Sequence, residues 1–486
     1  VVKGLNQAQQ VAARVALSEY PWIEVVAGHC RKYDGGAAIG HILGQLSRVT
    51  DDALATDPNA DDPLDLAGYT ADDYFGVRGV EALGEQWLRG KRGLVTEDRK
   101  GNREEIDAVN GRDMRLSIDL GLQHALYAQL GREITDRVPS SPGGCAILLD
   151  IPTRQVIAMV SYPSVDPNNP AEVMAARDDL VRKPFLFRAV REHYPPGSIV
   201  KPMLLAGALS RGTIGPNETV VCNGRLFPDQ PNQWGCTGVH GPMEPIAAIQ
   251  HSCNIFFYHL GERMGVDDEA YWMRQFGLGQ LSGTGLLDEL KGNLPKTRGN
   301  GQARQAAIGQ SEVAITPIQA ANMVATLASG VYQPVTLWPD NPAARPAPIT
   351  LPVSPAAWRI VREGMYRVVN VERGTAYRTT QLKNGGPYVL LGKTGSAEIR
   401  KDQPTHSWFI GYLAPRNRYT EPVPAGPASV AIAVVVEYAG HGGEVAAPIA
   451  GAMLDAYLME LARPSAGEPA ALTPGTAGAK DGGGQQ

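Results

Sequence analysis

The sequence has little of what a nucleic-acid binder, a membrane-spanning chain or a disulfide-stapled scaffold needs. Forty-five Lys and Arg stand against 50 Asp and Glu, a net charge of −5, and basic residues gather only in short pairs such as Arg31-Lys32 and Arg400-Lys401. That argues against nucleic acid as a partner, which calls for a basic face. The longest uninterrupted apolar run, Val430–Val436, has seven residues, where a membrane span takes ~18 or more. Five cysteines, Cys30, Cys145, Cys222, Cys236 and Cys253, are too few to staple a chain of 486 residues. What is present is apolar material, 43 % of the chain, enough for large cores in two or three domains. The chain opens on Val1, so a processed form or a fragment is expected, with any signal or anchor segment lost from view.

Texture divides the chain. Residues 1–115 are weakly periodic, with the acidic, turn-rich stretch Thr50–Tyr74 between two more ordered pieces, and are expected to form an accessory domain. Asp113–Asp119 alternates like a strand, and Leu120–Leu130 has apolar residues at helical spacing. Gly144–Asp150 and Gln155–Ser161 form a hairpin pattern whose sheet continues far downstream in Tyr388–Ile399, His406–Ala414 and Ser429–Tyr438. A helix-rich insert, about residues 185–370, lies between, and a helix over Ile449–Ala462 closes the ordered part. The expectation is a multi-domain α+β protein: 1–115 accessory, 116–463 an antiparallel sheet flanked by helices with a helical subdomain, and 464–486 a Pro/Gly/Ala tail without a core.

Three short motifs carry chemistry. Ser198-Ile-Val-Lys201 precedes a helical pattern, so hydroxyl and amine can share a face. A serine hydroxyl needs a base, and a lysine serves if burial or a nearby cation leaves it neutral. Alone the pattern is common. Ser252-Cys253-Asn254 adds a hydroxyl that can relay a proton and an amide that can hold a carbonyl, and Lys393-Thr394-Gly395-Ser396 falls in a predicted strand. There the lysine can stabilise negative charge, the threonine can bind a carboxylate, and Gly395 can let a substrate backbone approach. The three in this order are specific.

The chain resembles the class B penicillin-binding proteins, transpeptidases of bacterial wall synthesis. The likeness extends to Phe187-Arg-Ala189 through Tyr194-Pro-Pro-Gly-Ser198, Gly309-Gln310 through Thr316-Pro317-Ile-Gln319-Ala320, Gly374-Thr-Ala376 and His406–Tyr412, over roughly residues 20–460. Gly76–Val95 is most similar to the pedestal, or dimerisation-type, domain of the elongation-type, rod-shape group. Phe187 stands where an Asn is usual, and Ser311 where a Gly is expected.

The resemblance implies that Ser198 attacks the penultimate D-Ala of a peptidoglycan stem peptide and releases the terminal D-Ala. Lys201 would be the base, Ser252 the proton shuttle with Lys393 beside it, and Asn254 a donor-peptide contact. Thr394 and Ser396 would bind the substrate carboxylate, and the backbone N–H groups of Ser198 and Ser396 would form the oxyanion hole. No cofactor enters this catalysis. β-Lactams would acylate Ser198. Implied partners are a membrane glycosyltransferase of the SEDS type and a rod-shape scaffold protein, and the implied location is the extracytoplasmic, periplasmic face of the cytoplasmic membrane. A serine β-lactamase or D,D-carboxypeptidase shares the motifs, and a non-enzymatic penicillin sensor is a third alternative.

Cys222, Cys236, His240 and Cys253 make a Cys-x13-Cys-x3-His-x12-Cys pattern. Three thiolates and an imidazole suit a closed structural zinc site, and some elongation-type relatives look similar here. A Cys222–Cys236 disulfide with Cys253 a buried thiol, or three unlinked cysteines, are the alternatives. Asp229 is a spare ligand candidate, and Cys30 and Cys145 read as ordinary buried residues.

Overall fold

The computed structural model describes residues 5, 7–25, 31–59, 65–229, 233–343, 345–400 and 402–462. The tail 464–486 and Cys30 lie outside them.

The catalytic-type half is built on one antiparallel sheet. Its strands are β1 Gly144–Asp150, β2 Val156–Tyr162, β3 Tyr388–Ala397, β4 His406–Pro415 and β5 Val430–Val436, in the order β3-β4-β5-β1-β2. The first hairpin thus pairs with the last strand, Val430 opposite Asp150 and Val436 opposite Gly144. Every residue of β5, VAIAVVV, is buried, because helices cover both faces and no solvent side remains to select polar residues. Helices α1 Leu120–Arg137 and α6 Ala446–Leu461 pack together and against the sheet, and α4 Pro317–Ser329 packs on β5, β1 and β4. Helix α4 starts sharply because the Thr316 hydroxyl accepts from the Gln319 N–H while the Gln319 side chain accepts from the Thr316 N–H, a reciprocal cap. The helical insert contributes α2 Lys201–Arg211, α3 Asn254–Gln275 and α5 Pro355–Asn370, the last packed on β3.

One expectation of local structure fails. Asp113–Asp119 is irregular rather than a strand. Its alternation reflects straps to neighbours: the Ser117 hydroxyl donates to the Val156 carbonyl at 2.8 Å, and the Asp119 carboxylate caps α1 by accepting from the Leu122 N–H at 2.8 Å. Within the turn-rich stretch Thr50–Tyr74, Thr50 caps a short helix, Asp51–Ala55, whose first turn is acidic. In the N-terminal half the ordered pieces include Gln45–Arg48, paired with Tyr74–Arg78.

Both departures from the family pattern have a local account. Phe187 is buried and stacks on His41, ring centres 5.4 Å apart. Ser311 sits in the left-handed region at φ +64°, where a side chain costs about 1–2 kcal/mol and a glycine's extra chain entropy about 0.5–1. Ser311→Gly is therefore expected to stabilise by about 0.5 kcal/mol, measured as a rise in the urea midpoint.

Candidate active site

A 3-10 turn, Gly197–Val200, leads directly into α2, and in that tighter winding residues three apart eclipse, which aligns Ser198 with Lys201. Gly197 adopts φ +58°, and a Cβ there would lie 2.7 Å from the Ser396 carbonyl oxygen. The nucleophile turn is thus pressed against β3. It is fastened elsewhere by Gly197 N–H to the Gly309 carbonyl, 2.9 Å, and by the Trp408 indole N–H to the Pro195 carbonyl, 3.1 Å.

The structure brings four of the five expected catalytic side chains into one hydrogen-bonded cluster, with Ser198 at its mouth. Lys201 Nζ donates to the Ser252 carbonyl at 2.8 Å, to Ser252 Oγ at 3.3 Å and to Asn254 Oδ1 at 2.7 Å. Lys393 Nζ donates to the same Ser252 Oγ at 2.9 Å and to the Thr394 carbonyl. Both lysines are fully buried. Burial brings the Lys201 amine down to about 8, against a smaller upward pull from the Cys236 and Cys253 side chains. Burial, with the charge of Lys201 second, holds the Lys393 amine well below the ordinary lysine range. One hydroxyl between two such amines has the geometry to relay a proton. Ser198 makes no hydrogen bond to Lys201 among the described residues, so that contact is left for the loaded enzyme to close.

Ser252 is held at φ +54°, at the turn between the helix Pro245–Gln250 and α3. Thr394 Oγ1 lies 2.6 Å from Thr375 Oγ1, and Ser396 Oγ accepts from the Gly442 N–H at 3.2 Å. Gly395 corrects an expectation. The space its side chain would fill is taken by the protein itself, Ile199 Cγ2 at 2.9 Å and the Pro196 carbonyl oxygen at 3.0 Å, so the glycine admits the nucleophile turn and not a substrate backbone. Ser198, Ser252, Asn254, Thr394, Gly395 and Ser396 line a cleft of about 770 Å³.

Sequence reasoning missed other parts of this cleft. Thr375 belongs to the Gly374-Thr-Ala376 segment, whose resemblance was its only signal; Arg373, Arg378 and Glu444 had none. Behind the cleft Glu437 accepts from the Tyr194 hydroxyl at 2.8 Å and pairs with Arg188 at 3.0 Å. His406 faces this network, its Nδ1 accepting from the Tyr438 N–H at 3.0 Å, and takes no place in the relay.

The cysteine pattern also converges. Short strands Val220–Cys222 and Gly241–Met243 pair, setting Cys222 opposite Gly241, and so bring His240 and Cys236 towards Cys253 at the start of α3. His240 Nδ1 is 3.6 Å from Cys222 Sγ and 3.5 Å from Cys236 Sγ, and Cys236 Sγ is 3.9 Å from Cys253 Sγ. All four donor atoms lie within 4.8 Å of one another, and the three cysteines are free thiols, so the Cys222–Cys236 disulfide is not formed in this structure. Zinc at about 2.3 Å from each sulfur of a tetrahedron sets the sulfurs about 3.8 Å apart. The donor set fits. Asp229 is not among these donors. The cluster touches the relay, because the Asn254 N–H donates to Cys236 Sγ at 3.2 Å while the Asn254 side chain holds Lys201.

An antiparallel sheet bearing this serine–lysine cluster at one edge defines a class, the active-site-serine enzymes of acyl transfer. The model of the penicillin-binding protein transpeptidase domain matches residues 144–455, and that of the penicillin-binding protein dimerisation domain matches residues 1–116. The chain belongs to the penicillin-binding protein transpeptidase family. It is 30 % identical to the peptidoglycan D,D-transpeptidase MrdA of Salmonella typhimurium, over 91 % of this chain and 75 % of that protein. Among solved structures it is similar to Pseudomonas aeruginosa PBP2 in complex with WCK 5153, with TM-score 0.71, 28 % identity and coverage of 88 % and 91 % of the two chains. The fold also matches PBP2 of the Helicobacter pylori complex with MreC, TM-score 0.75 at 22 % identity over 95 % and 85 %.

Proposed function

We propose that this chain is a peptidoglycan D,D-transpeptidase of the elongation type, crosslinking stem peptides through an acyl-enzyme on Ser198. The observation that carries this is the Lys201–Ser252–Lys393 relay at the floor of the cleft that Ser198 borders. Neutral Lys201 takes the Ser198 proton as Oγ attacks the carbonyl of the penultimate D-Ala. The tetrahedral oxyanion rests on the backbone N–H groups of Ser198 and Ser396. As the C–N bond breaks, Ser252 passes a proton to the departing D-Ala amine and is resupplied by the lysines. A second stem's amine then attacks the ester, loses its proton to the same relay and regenerates Ser198. A β-lactam enters the first step and stops there, because its leaving group stays tethered.

The resemblance supports wider context. A SEDS-type membrane glycosyltransferase and a rod-shape scaffold protein are the proposed partners, met through residues 1–115, with the catalytic half working outside the cytoplasmic membrane. No helix of the described residues is long and apolar enough to cross a membrane. Cys222, Cys236, His240 and Cys253 are proposed to hold one structural zinc, which pins the turn carrying Ser252 and Asn254 and takes no part in the chemistry.

Intact-mass spectrometry after exposure to benzylpenicillin tests the function. A stable adduct of one drug per chain, absent in Ser198→Ala, is expected. Rapid drug consumption without an adduct would favour the β-lactamase alternative. A protein that neither holds nor consumes the drug would lose its enzymatic assignment.

A further inference from the structure

The substrate's terminal carboxylate poses a charge problem. Thr394 and Thr375, 2.6 Å apart, share one hydrogen bond and so have one hydroxyl proton left to offer. Both active-site lysines face inward and spend their donors on Ser252, Asn254 and the Thr394 carbonyl. A carboxylate leaving water needs a fixed cation or several N–H donors.

Arg373 stands two residues before Thr375, on the wall of the same cleft. Its backbone is at φ +66°, a region that a long side chain adopts only at a cost and that collects at functional sites. The turn that imposes this is tied down: the Gln250 side chain donates to the Glu372 carbonyl at 3.0 Å, Gly374 N–H to the Val371 carbonyl at 3.0 Å, and Ala376 N–H to the Val368 carbonyl at 3.0 Å. Gln250 precedes the Ser-x-Asn segment by two residues, so the turn is anchored to the catalytic loop. Glycine would suit the backbone better. Arg373, however, is an exposed residue of the cleft wall, and its side chain makes no ion pair or hydrogen bond among the described residues. Glu372 and Glu444 line the cleft too, and neither holds it. A strained position thus carries a cation, unpaired among the described residues, in the same cleft as the Thr375–Thr394 hydroxyl pair.

We propose that Arg373 is a specificity-determining residue that binds the carboxylate of the substrate's terminal residue, beside Thr375 and Thr394. This rests on the transpeptidase function proposed above. Arg378, also on the cleft wall, is the alternative cation and serves as a comparison.

The test compares two thioester donors, N-benzoyl-D-alanyl-thioglycolate and its thioglycolamide, which differ only in the leaving group's carboxylate. The readout is the ratio of their kcat/KM values in wild type, Arg373→Gly, Arg373→Lys and Arg378→Ala. Arg373→Gly is expected to lower the acid-to-amide ratio about 10–100-fold, the weight of one charged hydrogen bond, with the loss mainly in KM for the acid. Its thermal midpoint should hold or rise, since glycine relieves the left-handed strain. Arg373→Lys should keep part of the ratio. Three outcomes overturn the inference: a ratio unchanged in Arg373→Gly, a ratio lost in Arg378→Ala instead, or an equal fall with both donors accompanied by a lower midpoint. Wild-type protein that accepts neither thioester would sink the transpeptidase function itself, a result distinct from any of these.

Discussion

Replacing Lys201 by alanine is expected to slow acylation of Ser198 by benzylpenicillin about 10²–10⁴-fold, the usual weight of a positioned general base. The amine is the group proposed above to take the Ser198 proton, being three residues on, fully buried and brought down to about 8 by that burial. Its neutral form is the base. Acylation should therefore rise with pH through about 8 and level off above it, because deprotonation of Lys201 switches the base on. The alanine variant should lose that limb of the profile. The variant also leaves the Ser252 carbonyl and Asn254 Oδ1 without their donor, so the thermal midpoint belongs in the same experiment. Stopped-flow rates within a few fold of wild type, at an unchanged midpoint, would remove Lys201 from the mechanism.

The second large effect concerns the four-residue cluster behind the relay. The chain is expected to hold one zinc, and Cys253→Ser or prolonged chelation to release it. A ligand that binds the native state at a thousand times its Kd stabilises it by about 4 kcal/mol, which for a protein of this size is a midpoint drop of about 4 °C on removal. Acylation should fall with it, because Cys236 accepts the Asn254 N–H and Asn254 holds Lys201. Elemental analysis and a thermal scan on one sample check this. A metal-free protein with an unchanged midpoint and full acylation would show that the four donors meet without a metal.

Why was so much of the site legible in advance? Ser198 and Lys201 are joined by local geometry, three residues apart where a helix begins. Ser252 and Asn254 share a turn, and Lys393 to Ser396 share a strand. Each motif carried its own chemistry, and their order carried the family. The reason for Gly395 was misread, because which backbone fills the place of a missing side chain is a contact made across the fold; here it is Pro196. Asp113–Asp119 was misread for a related reason. An alternating pattern satisfies a strap that hydrogen-bonds to Val156 and Leu337 as readily as it does a strand.

The sequence by itself determined the three chemistry-bearing motifs, the antiparallel sheet and the residue types of the cysteine cluster, since each follows from residues close together or from a recurring order. Only the tertiary structure decided that one Ser252 hydroxyl lies between two buried lysines, that three cysteines and a histidine meet within 4.8 Å, and that Arg373 is left without a counter-charge among the described residues. Those are distances between segments far apart in the chain. They are set when the sheet closes Val430–Val436 onto Gly144–Asp150 and the insert folds back over its edge, and no local propensity encodes them.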